Sequence, residues 1–263
     1  MSILETIVKK KLAEVQERRH SVPVNRLEKS KYFGRKTLSL SNAVSAIGSS
    51  GLITEFKRQS PSKGIIHPNA DVEFITSWYV KAGAAALSVL TDESFFGGSN
   101  SDLLIAREHN RVPVLRKDFT IDEYQVIEAK AIGADAILLI AAILTLEQQI
   151  QLAELAHSLG LEVLLEIHST DEPAAFESAC IDLVGINNRN LNNFIVDINT
   201  SVALSDHIPG RFVKVSESGL KNPEDVIMLK KHGFKGFLIG ENFMQHTNPG
   251  EACAAFIQEL NRL

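Results

Sequence analysis

Cysteine is scarce in this chain of 263 residues, which contains only two, Cys180 and Cys253. They lie far apart and match no paired metal-ligand spacing, so the sequence predicts neither a disulfide framework nor a metal site, and we expect two buried, inert thiols. Positive charge is not in excess either, because the net charge of −5 argues against broad binding of nucleic acid. An anionic ligand would therefore need a local cationic pocket.

Long hydrophobic runs are also missing. No apolar run approaches the roughly 20 residues that span a membrane. The first segment, MSILETIVKKKLAEV, carries acidic residues and a helical apolar pattern where a signal peptide would have a continuous apolar core. We therefore expect a cytoplasmic protein without membrane contact.

Short apolar runs alternate with helical patterns from Gly51 onward, which is typical of repeated βα units and a parallel sheet. Eight apolar runs can be counted, at residues 52–56, 86–90, 114–115, 136–140, 163–167, 183–186, 212–215 and 237–239. The helices predicted between and after them cover residues 72–82, 102–109, 123–131, 146–159, 172–179, 200–207, 223–232 and 249–260. The recurrence of a helix, a glycine and a strand is the internal repeat.

The length fits the roughly 250 residues typical of one (β/α)8 barrel. An open doubly wound sheet would favour a Gly-rich dinucleotide fingerprint after its first strand, whereas the first run here leads into the charged loop TEFKRQSPSKG. The sequence thus predicts an α/β fold with a single (β/α)8 TIM barrel over residues 46–263. Residues 1–45 are predicted to be a helical extension that packs over the barrel. One apolar helix face is formed there by Ile3, Leu4, Ile7, Val8, Leu12 and Val15.

Polar side chains stand at the carboxyl ends of several predicted strands, where a barrel builds its active site. Glu55 and Lys57 are two residues apart, so both point to one face of the first strand. Charges inside a barrel mouth imply an ion pair, a bound charge or both, and the alternative is that Lys57 begins a solvated loop. The further candidates are Lys117 on the third strand, Glu166 on the fifth, Asn187 and Arg189 on the sixth, and Glu217 and Ser218 on the seventh.

Two of these residues predict acid–base chemistry. Lys117 ends the run VPVLRKDF, and an amine held near other cations would have a lowered pKa, which suits an acid near neutral pH. The alternative is a surface lysine paired with Asp118. Glu166 closes the apolar strand EVLLEIH and is the best candidate base, while the nearby His168 is more typical of a polar loop residue than of a catalyst.

Phosphate binding is predicted after the last two strands. The segments VSESGL and LIGENFM supply glycines and helix starts where barrels commonly bind phosphate. The residues expected to contact it are Ser218, Gly219, Gly240 and Glu241. Arg189 offers a planar fork to a carboxylate or phosphate, with a structural pairing to Asp197 as the alternative.

Aromatic residues fall in the loops after the second and third strands. Phe95, Phe96 and Phe119 could form an apolar wall against an aromatic ring. Ordinary packing within the loops is the alternative, and it is at least as good an explanation for Phe95.

Eight segments, in this order, resemble the indole-3-glycerol-phosphate synthase family over nearly the whole chain. They are FKRQSPSKG, SVLTDESFFGGS, PVLRKDF, ADAILLI, LLEIH, GINNRNL, KVSESGL and LIGENFM. Members of that family are lyases of tryptophan biosynthesis. They convert 1-(2-carboxyphenylamino)-1-deoxyribulose 5-phosphate into indole-3-glycerol phosphate, carbon dioxide and water. The resemblance implies that residues 1–45 fold over the active site, and that neither a metal nor an organic cofactor is needed.

The resemblance also implies roles for single residues. Lys117 would be the acid for ring closure, Glu166 the base, and Lys57 an acid or an anion clamp, with the division between the two lysines left open. Glu55 would orient the lysines, and Asn187 would hold a hydroxyl or the intermediate. The residues expected to contact the substrate are Ser60, Phe96, Phe119, Leu138, Arg189, Glu217 and Ser218. The implied partner is a phosphorylated small molecule, and we expect a monomer or weak oligomer.

Two other functions fit a barrel with phosphate loops. An isomerase acting on a phosphosugar would typically use an Asp or Cys pair at the strand ends, whereas this chain carries two lysines and a glutamate. A barrel that only binds a phosphometabolite or a partner protein would gain nothing from several inward charges, which cost stability. The strand-end residues therefore favour the lyase.

Overall fold

Eight parallel strands close a barrel in the computed structural model, which describes residues 3–191 and 193–263. The strands are β1 (Leu52–Phe56), β2 (Ala86–Leu90), β3 (Val114–Lys117), β4 (Ala136–Ile140), β5 (Glu162–Ile167), β6 (Leu183–Asn187), β7 (Val213–Glu217) and β8 (Phe234–Ile239). Each strand pairs with its neighbours in sequence, and β1 pairs with β8 to close the ring. The predicted (β/α)8 barrel is confirmed.

Helices connect the strands on the outside of the barrel. They are α4 (Val72–Ala82), α5 (Glu93–Phe96), α6 (Asn100–His109), α7 (Glu123–Ala131), α8 (Leu146–Ser158), α9 (Asn199–Ser205), α10 (Pro223–Lys231), α11 (Glu241–Met244) and α12 (Pro249–Leu260). A short 3-10 turn, Ala141–Ile143, follows β4, and a small antiparallel hairpin pairs Gln59–Ser60 with Gly64–Ile65 after β1. The order of strand and helix repeats the βα unit read from the sequence.

The helix predicted at residues 172–179 is wrong, because this described segment forms turns. Two of its backbone polar groups bond a side chain of α8: Gln149 donates from Nε2 to the carbonyl of Pro173 at 2.7 Å and accepts from the N–H of Ala175 at 3.0 Å. A segment whose buried backbone groups find such partners does not need helical hydrogen bonds.

Alternation along the strands separates an inner from an outer core. On β1, Ile53 packs inside the barrel with residues such as Leu115 and Leu164, whereas Leu52 and Phe56 pack between the sheet and the helices. Because side chains alternate with a period of two, the residues that follow Ile53 on its face are Glu55 and Lys57. The strand geometry therefore points both charges into the barrel mouth.

The residues before the barrel form α1 (Ile3–Ser21), α2 (Val24–Leu27) and α3 (Leu40–Ser45). Helix α2 packs against α7, and Leu40 and Val44 of α3 join the core inside the barrel. From Leu38 to the first turn of α3 the chain is tied to the amino ends of two strands: the N–H of Leu38 donates to Asp135 at 2.7 Å, and that of Ser41 donates to Glu162 at 2.8 Å. The segment therefore runs from the carboxyl end of the barrel, where α1 lies, to the amino end.

Two details of burial differ from the sequence-based expectation. On α1 the buried residues are Ile7, Lys11 and Val15, whereas Leu12, predicted on the apolar face, is 50% exposed. Cys253 is buried as predicted, but Cys180 is only half-buried. No helix within the described ranges is long and apolar enough to cross a membrane.

Candidate active site

A cavity of about 670 Å³ opens at the carboxyl ends of the strands. All fifteen predicted site residues line it: Glu55, Lys57, Ser60, Phe96, Lys117, Phe119, Leu138, Glu166, Asn187, Arg189, Glu217, Ser218, Gly219, Gly240 and Glu241. Strands, loops and short helices separated by up to 186 positions of sequence thus converge on one space, as expected for the carboxyl face of a barrel.

Glu55 and Lys57 form the ion pair that their spacing predicted. Glu55 Oε1 lies 2.8 Å from Lys57 Nζ, and the two side chains are only 5% and 13% exposed. Gly240 makes room for the carboxylate, because a Cβ at that position would come within 2.5 Å of Glu55 Oε1. Gly185 plays the same part for Glu217, whose Oε1 occupies the space that a side chain on β6 would need. Each buried carboxylate therefore depends on a glycine of a neighbouring strand.

Lys117 lies at the centre of the site between two glutamates. Its Nζ is 2.6 Å from Glu166 Oε2 and 2.7 Å from Glu217 Oε2, and its side chain is 14% exposed. Burial alone would lower the pKa of Lys117, but the carboxylates of Glu166, Glu217 and Glu55 outweigh it, so the pKa is raised. The prediction of a lowered pKa is wrong, since carboxylates surround the amine where cations were expected.

The proposed pairing of Lys117 with Asp118 is also wrong. Asp118 turns away from its neighbour and binds Lys11 Nζ at 2.9 Å and Arg116 Nη2 at 3.3 Å. Its Oδ2 also accepts a hydrogen bond from Thr91 Oγ1 at 2.6 Å. Successive residues at the end of β3 therefore face different sides, and only Lys117 belongs to the central group.

Glu166 and Glu217 both contact Lys117, but their pKa values shift in opposite directions. Burial raises the pKa of both carboxyls. In Glu166 this is outweighed by Lys117, by the nearby His168 and by a hydrogen bond from Asn187 Nδ2 at 3.2 Å, so the pKa falls to about 2. In Glu217 burial and the repulsion of Glu166 prevail over the attraction of Lys117, and the pKa rises to about 8. These opposite shifts favour the ionised form of Glu166 and the protonated form of Glu217.

We expect Glu217→Gln to remove a pH dependence of stability. Glu217 has its pKa raised from 4.5 to about 8, so its contribution to folding is present below 4.5 and is lost as the pH rises through about 8. Glutamine mimics the protonated acid and cannot ionise. The variant should therefore match the parent protein near pH 5 and exceed its free energy of unfolding by roughly 1–3 kcal/mol near pH 9.

Urea unfolding at both pH values measures this difference. The exposed Glu154 of α8 supplies the control, because Glu154→Gln should shift both stabilities equally. Parallel pH curves for the parent protein and Glu217→Gln would contradict an elevated pKa at this position.

His168 lies closer to the central charged residues than its sequence position suggested. Its Nε2 is 3.4 Å from Glu166 Oε1 and its Nδ1 is 3.4 Å from Glu172 Oε1, with the side chain 10% exposed. Burial works against its charge, but the hydrogen bond and charge of Glu172 and the charge of Glu166 raise its pKa. The imidazole therefore lies next to the carboxylate oxygen of Glu166 that does not contact Lys117.

Cationic groups gather at the opposite end of the cavity. Arg189 Nη1 donates to Ser62 Oγ at 3.2 Å and Nη2 lies 3.3 Å from Glu241 Oε2, in place of the pairing with Asp197 considered above. Lys63 Nζ is 3.6 Å from the other oxygen of Glu241. Between β7 and α10, Ser218 and Gly219 have φ angles of 68° and 79°, and a positive φ is costly for serine. The strain turns the chain sharply at the cavity edge.

An apolar wall faces the central charges. The rings of Phe96 and Phe119 lie 6.0 Å apart between centroids, at an interplanar angle of 40°, and Leu138 lines the same cavity. Phe95 is half-buried in its loop, and among the described residues it is not part of the cavity wall. The predicted wall therefore includes Phe96 and Phe119 but not Phe95.

Several cavity residues were not predicted as part of the site. They are Ile3, Leu4 and Ile7 of α1, Ser62 and Lys63 of the hairpin loop, Phe194, and Lys221, Asn222 and Asn242 near the last two strands. The apolar face of α1 and its place over the active site were predicted, but the individual residues of α1 that reach the cavity were not. Lys63 could have been predicted as a site residue, because it stands with Ser60 in the same charged loop after β1.

Comparison with known proteins identifies relatives over most of the chain. Residues 4–256 match the family model described as indole-3-glycerol phosphate synthase. A protein of that name from Bacteroides thetaiotaomicron is 48% identical over 258 residues, covering 98% of each chain. Another from Polynucleobacter asymbioticus is 48% identical over 207 residues, covering 79% of this chain and 78% of its own.

The fold also has relatives among solved structures. A variant of the tryptophan synthase alpha subunit from Pyrococcus furiosus superposes with a TM-score of 0.59 at 15% identity, covering 82% of this chain and 99% of that chain. At this identity the likeness concerns the barrel fold alone. The match to the family model and the two close relatives span most of the chain, and on that evidence the chain belongs to the indole-3-glycerol phosphate synthase family.

Proposed function

We propose that this cavity carries out the reaction of the family: ring closure of 1-(2-carboxyphenylamino)-1-deoxyribulose 5-phosphate with loss of carbon dioxide and water. The observation that carries the proposal is Lys117, held between Glu166 and Glu217 in a cavity that is also lined by an apolar wall and by cationic groups. The substrate has a matching order, with an aromatic ring at one end, a carbonyl in the middle and a phosphate at the other.

The two ends of the cavity would orient the substrate. The anthranilate ring would lie against Phe96, Phe119 and Leu138, with α1 completing the wall. The phosphate would lie at the cationic end, contacting Arg189 and the turns around Ser218, Gly219, Gly240 and Glu241. Glu241 would contribute its backbone N–H, since its carboxylate repels a phosphate and would have to leave Arg189. Ser60 would contact the substrate from the hairpin loop.

Ring closure would use Lys117. The ring carbon that bears the carboxylate attacks the sugar carbonyl, with the amine nitrogen supplying electrons, and Lys117 donates a proton to the carbonyl oxygen. The bond to the carboxylate then breaks, its electrons return to the ring, and carbon dioxide leaves. The raised pKa keeps Lys117 charged before the reaction, so it also stabilises the negative charge that develops on the oxygen. Glu217, whose raised pKa favours the protonated carboxyl, can then return a proton to the amine of Lys117.

Dehydration would use Glu166 and Lys57. Glu166 takes a proton from the carbon beside the amine, and the hydroxyl formed in the first step departs as water with a proton from Lys57. The ion pair with Glu55 at 2.8 Å holds the ammonium of Lys57 in the barrel mouth, and Asn187 orients Glu166. We assign the first step to Lys117, which lies between Glu166 and Glu217, and the second to Lys57, which is paired with Glu55.

The experiment that tests the function is direct. Purified protein is mixed with the carboxyphenylamino deoxyribulose phosphate, and the fluorescence of the indole product is followed over time. We expect a rise in indole fluorescence with release of one carbon dioxide per product. Folded protein that gives neither signal would end the lyase proposal and leave a barrel that only binds a phosphometabolite.

Arg189→Ala is expected to weaken substrate binding and to change the chemical step little. A charge-assisted contact to phosphate is worth roughly 1.5–3 kcal/mol, so KM should rise about 10- to 100-fold. The exposed Arg211 provides the control, since Arg211→Ala should leave KM unchanged. Steady-state kinetics measures both variants, and an unchanged KM for Arg189→Ala would place the phosphate elsewhere.

The proposal also includes the roles of the two parts of the chain, its location and its oligomeric state. Residues 1–45 would act as a covering extension to a catalytic barrel over residues 46–263. A cytoplasmic location and a monomeric or weakly oligomeric state stay predictions, and sedimentation analysis of the purified chain tests the second.

A further inference from the structure

Lys11 is a lysine buried on the inner face of α1, with 1% of its side chain exposed. Its Nζ lies 2.7 Å from Asp92 Oδ2, 2.9 Å from Asp118 Oδ1 and 3.0 Å from Glu14 Oε2. Asp92 and Asp118 have side chains with no exposed surface. Charges taken out of water in this way cost several kcal/mol each unless they are paired, so the lysine and the two aspartates depend on one another.

The two aspartates stand in the loops that carry the apolar wall. Asp92 follows β2 and caps α5, accepting from the N–H of Phe95 at 2.7 Å, and α5 ends at Phe96. Asp118 stands between Lys117 and Phe119, and its Oδ1 accepts from the N–H of Phe119 at 2.8 Å. Each carboxylate thus holds the backbone next to a ring of the wall.

The other side of this contact is the covering helix. Ile7 lies one helical turn before Lys11, and Ile7, Ile3 and Leu4 line the cavity. A turn of α-helix brings residues four apart to the same face. The position of Lys11 on the two aspartates therefore sets the position of the apolar residues of α1 over the mouth of the barrel.

We propose that Lys11 is a positioning residue, which through Asp92 and Asp118 holds α1 against the barrel and aligns its apolar face with Phe96 and Phe119 to complete the site for the aromatic ring. The amine touches no reacting atom in this role. The inference rests on the proposed function, because the ring it serves is that of the proposed substrate. It adds a residue outside the strand ends to the groups that determine substrate binding.

Lys11→Met tests the proposal, with Lys10→Met as its matched control on the exposed side of α1. Methionine keeps the length of the side chain but removes the charge, so α1 should loosen and KM should rise about tenfold. The value of kcat should change less than about threefold, because Lys117, Glu166 and Glu217 keep their mutual contacts. Lys10→Met should leave both parameters unchanged. An unchanged KM for folded Lys11→Met would overturn the proposal.

A double variant separates positioning from folding. Lys11→Met leaves two buried carboxylates with less positive charge, and it can fail to fold for that reason. In Lys11→Met with Asp92→Asn one charge of each sign is removed, the cap on α5 can persist through the asparagine, and Asp118 retains Arg116. We expect this variant to fold but to keep the raised KM. A return of KM to the parent value would show that charge balance, and not the tie to α1, is what matters.

Hydrogen exchange provides a readout that does not need activity. Backbone amides of residues 7–15, which can donate within α1, should exchange at least about tenfold faster in Lys11→Met than in the parent protein or Lys10→Met. If the parent protein shows no turnover, the proposed function fails while this measurement still tests the tie. Equal exchange in all three proteins would overturn the role of Lys11.

Discussion

Replacing Lys117 by methionine is expected to lower kcat by about 10³-fold while the affinity for the product changes less than about threefold. The amine contacts both Glu166 and Glu217, at 2.6 and 2.7 Å. It would supply a proton and a positive charge as the carbonyl oxygen becomes an alkoxide, an interaction made mainly in the transition state. Steady-state kinetics and product titration, each followed by indole fluorescence, measure the two quantities.

Lys117→Arg separates the contribution of the positive charge from that of proton donation. Arginine keeps the positive charge between the two glutamates, so it should recover the folding stability that methionine loses. Its guanidinium does not give up a proton in proteins, so turnover should stay low. Lys117→Met with most of the parent kcat would refute the acid role. Arginine at near-parent kcat would show that charge alone is sufficient.

The barrel was predictable because its signals are local and repeated. Apolar runs of two to five residues alternate with helical patterns, and β1, β2 and β4 match the predicted runs without any shift. The failure at residues 172–179 has a different origin. Two backbone groups there bond Gln149 of α8, and no property of the segment itself reveals a partner more than 20 positions away.

The residues of the site were predictable, but their electrostatics were not. The period of two along a strand is sufficient to direct Glu55 and Lys57 inwards, and the carboxyl ends of strands locate the other candidates. The partner of Lys117 depends on which strands face each other across the barrel. Glu166 and Glu217 are 49 and 100 positions from it in sequence, and their approach reverses the expected direction of its pKa shift.

Helix α1 shows the limit of hydrophobic periodicity. The pattern placed Leu12 on the buried face, whereas the structure buries Lys11 and leaves Leu12 half exposed. A buried lysine looks like a surface residue in sequence, since lysine is almost never fully buried unless it is paired. Its partners, Asp92 and Asp118, come together only when two barrel loops meet the helix. Paired charges of this kind have no local signature.

Glu166→Gln is expected to lower kcat by about 10³-fold, since the amide cannot accept the proton that dehydration releases. The pKa of Glu166 is lowered to about 2, so the base is ionised throughout the neutral range and the loss should be the same from about pH 6 to pH 8. The matched control is Glu172→Gln, which removes the other carboxylate beside His168 at the same distance of 3.4 Å. That variant should keep kcat within about threefold of the parent value.

The fold should tolerate Glu166→Gln because the two glutamates compensate for each other. Repulsion by Glu166 is part of what raises the pKa of Glu217 to about 8. Without that charge the pKa of Glu217 should fall, so that Glu217 ionises and balances Lys117 alone. Stability measured across the neutral range should therefore change little while turnover is lost, which separates the base from a structural ion pair. A variant that keeps most of its turnover would mean that another group takes the proton, and His168, 3.4 Å from Glu166, would be the next residue to replace.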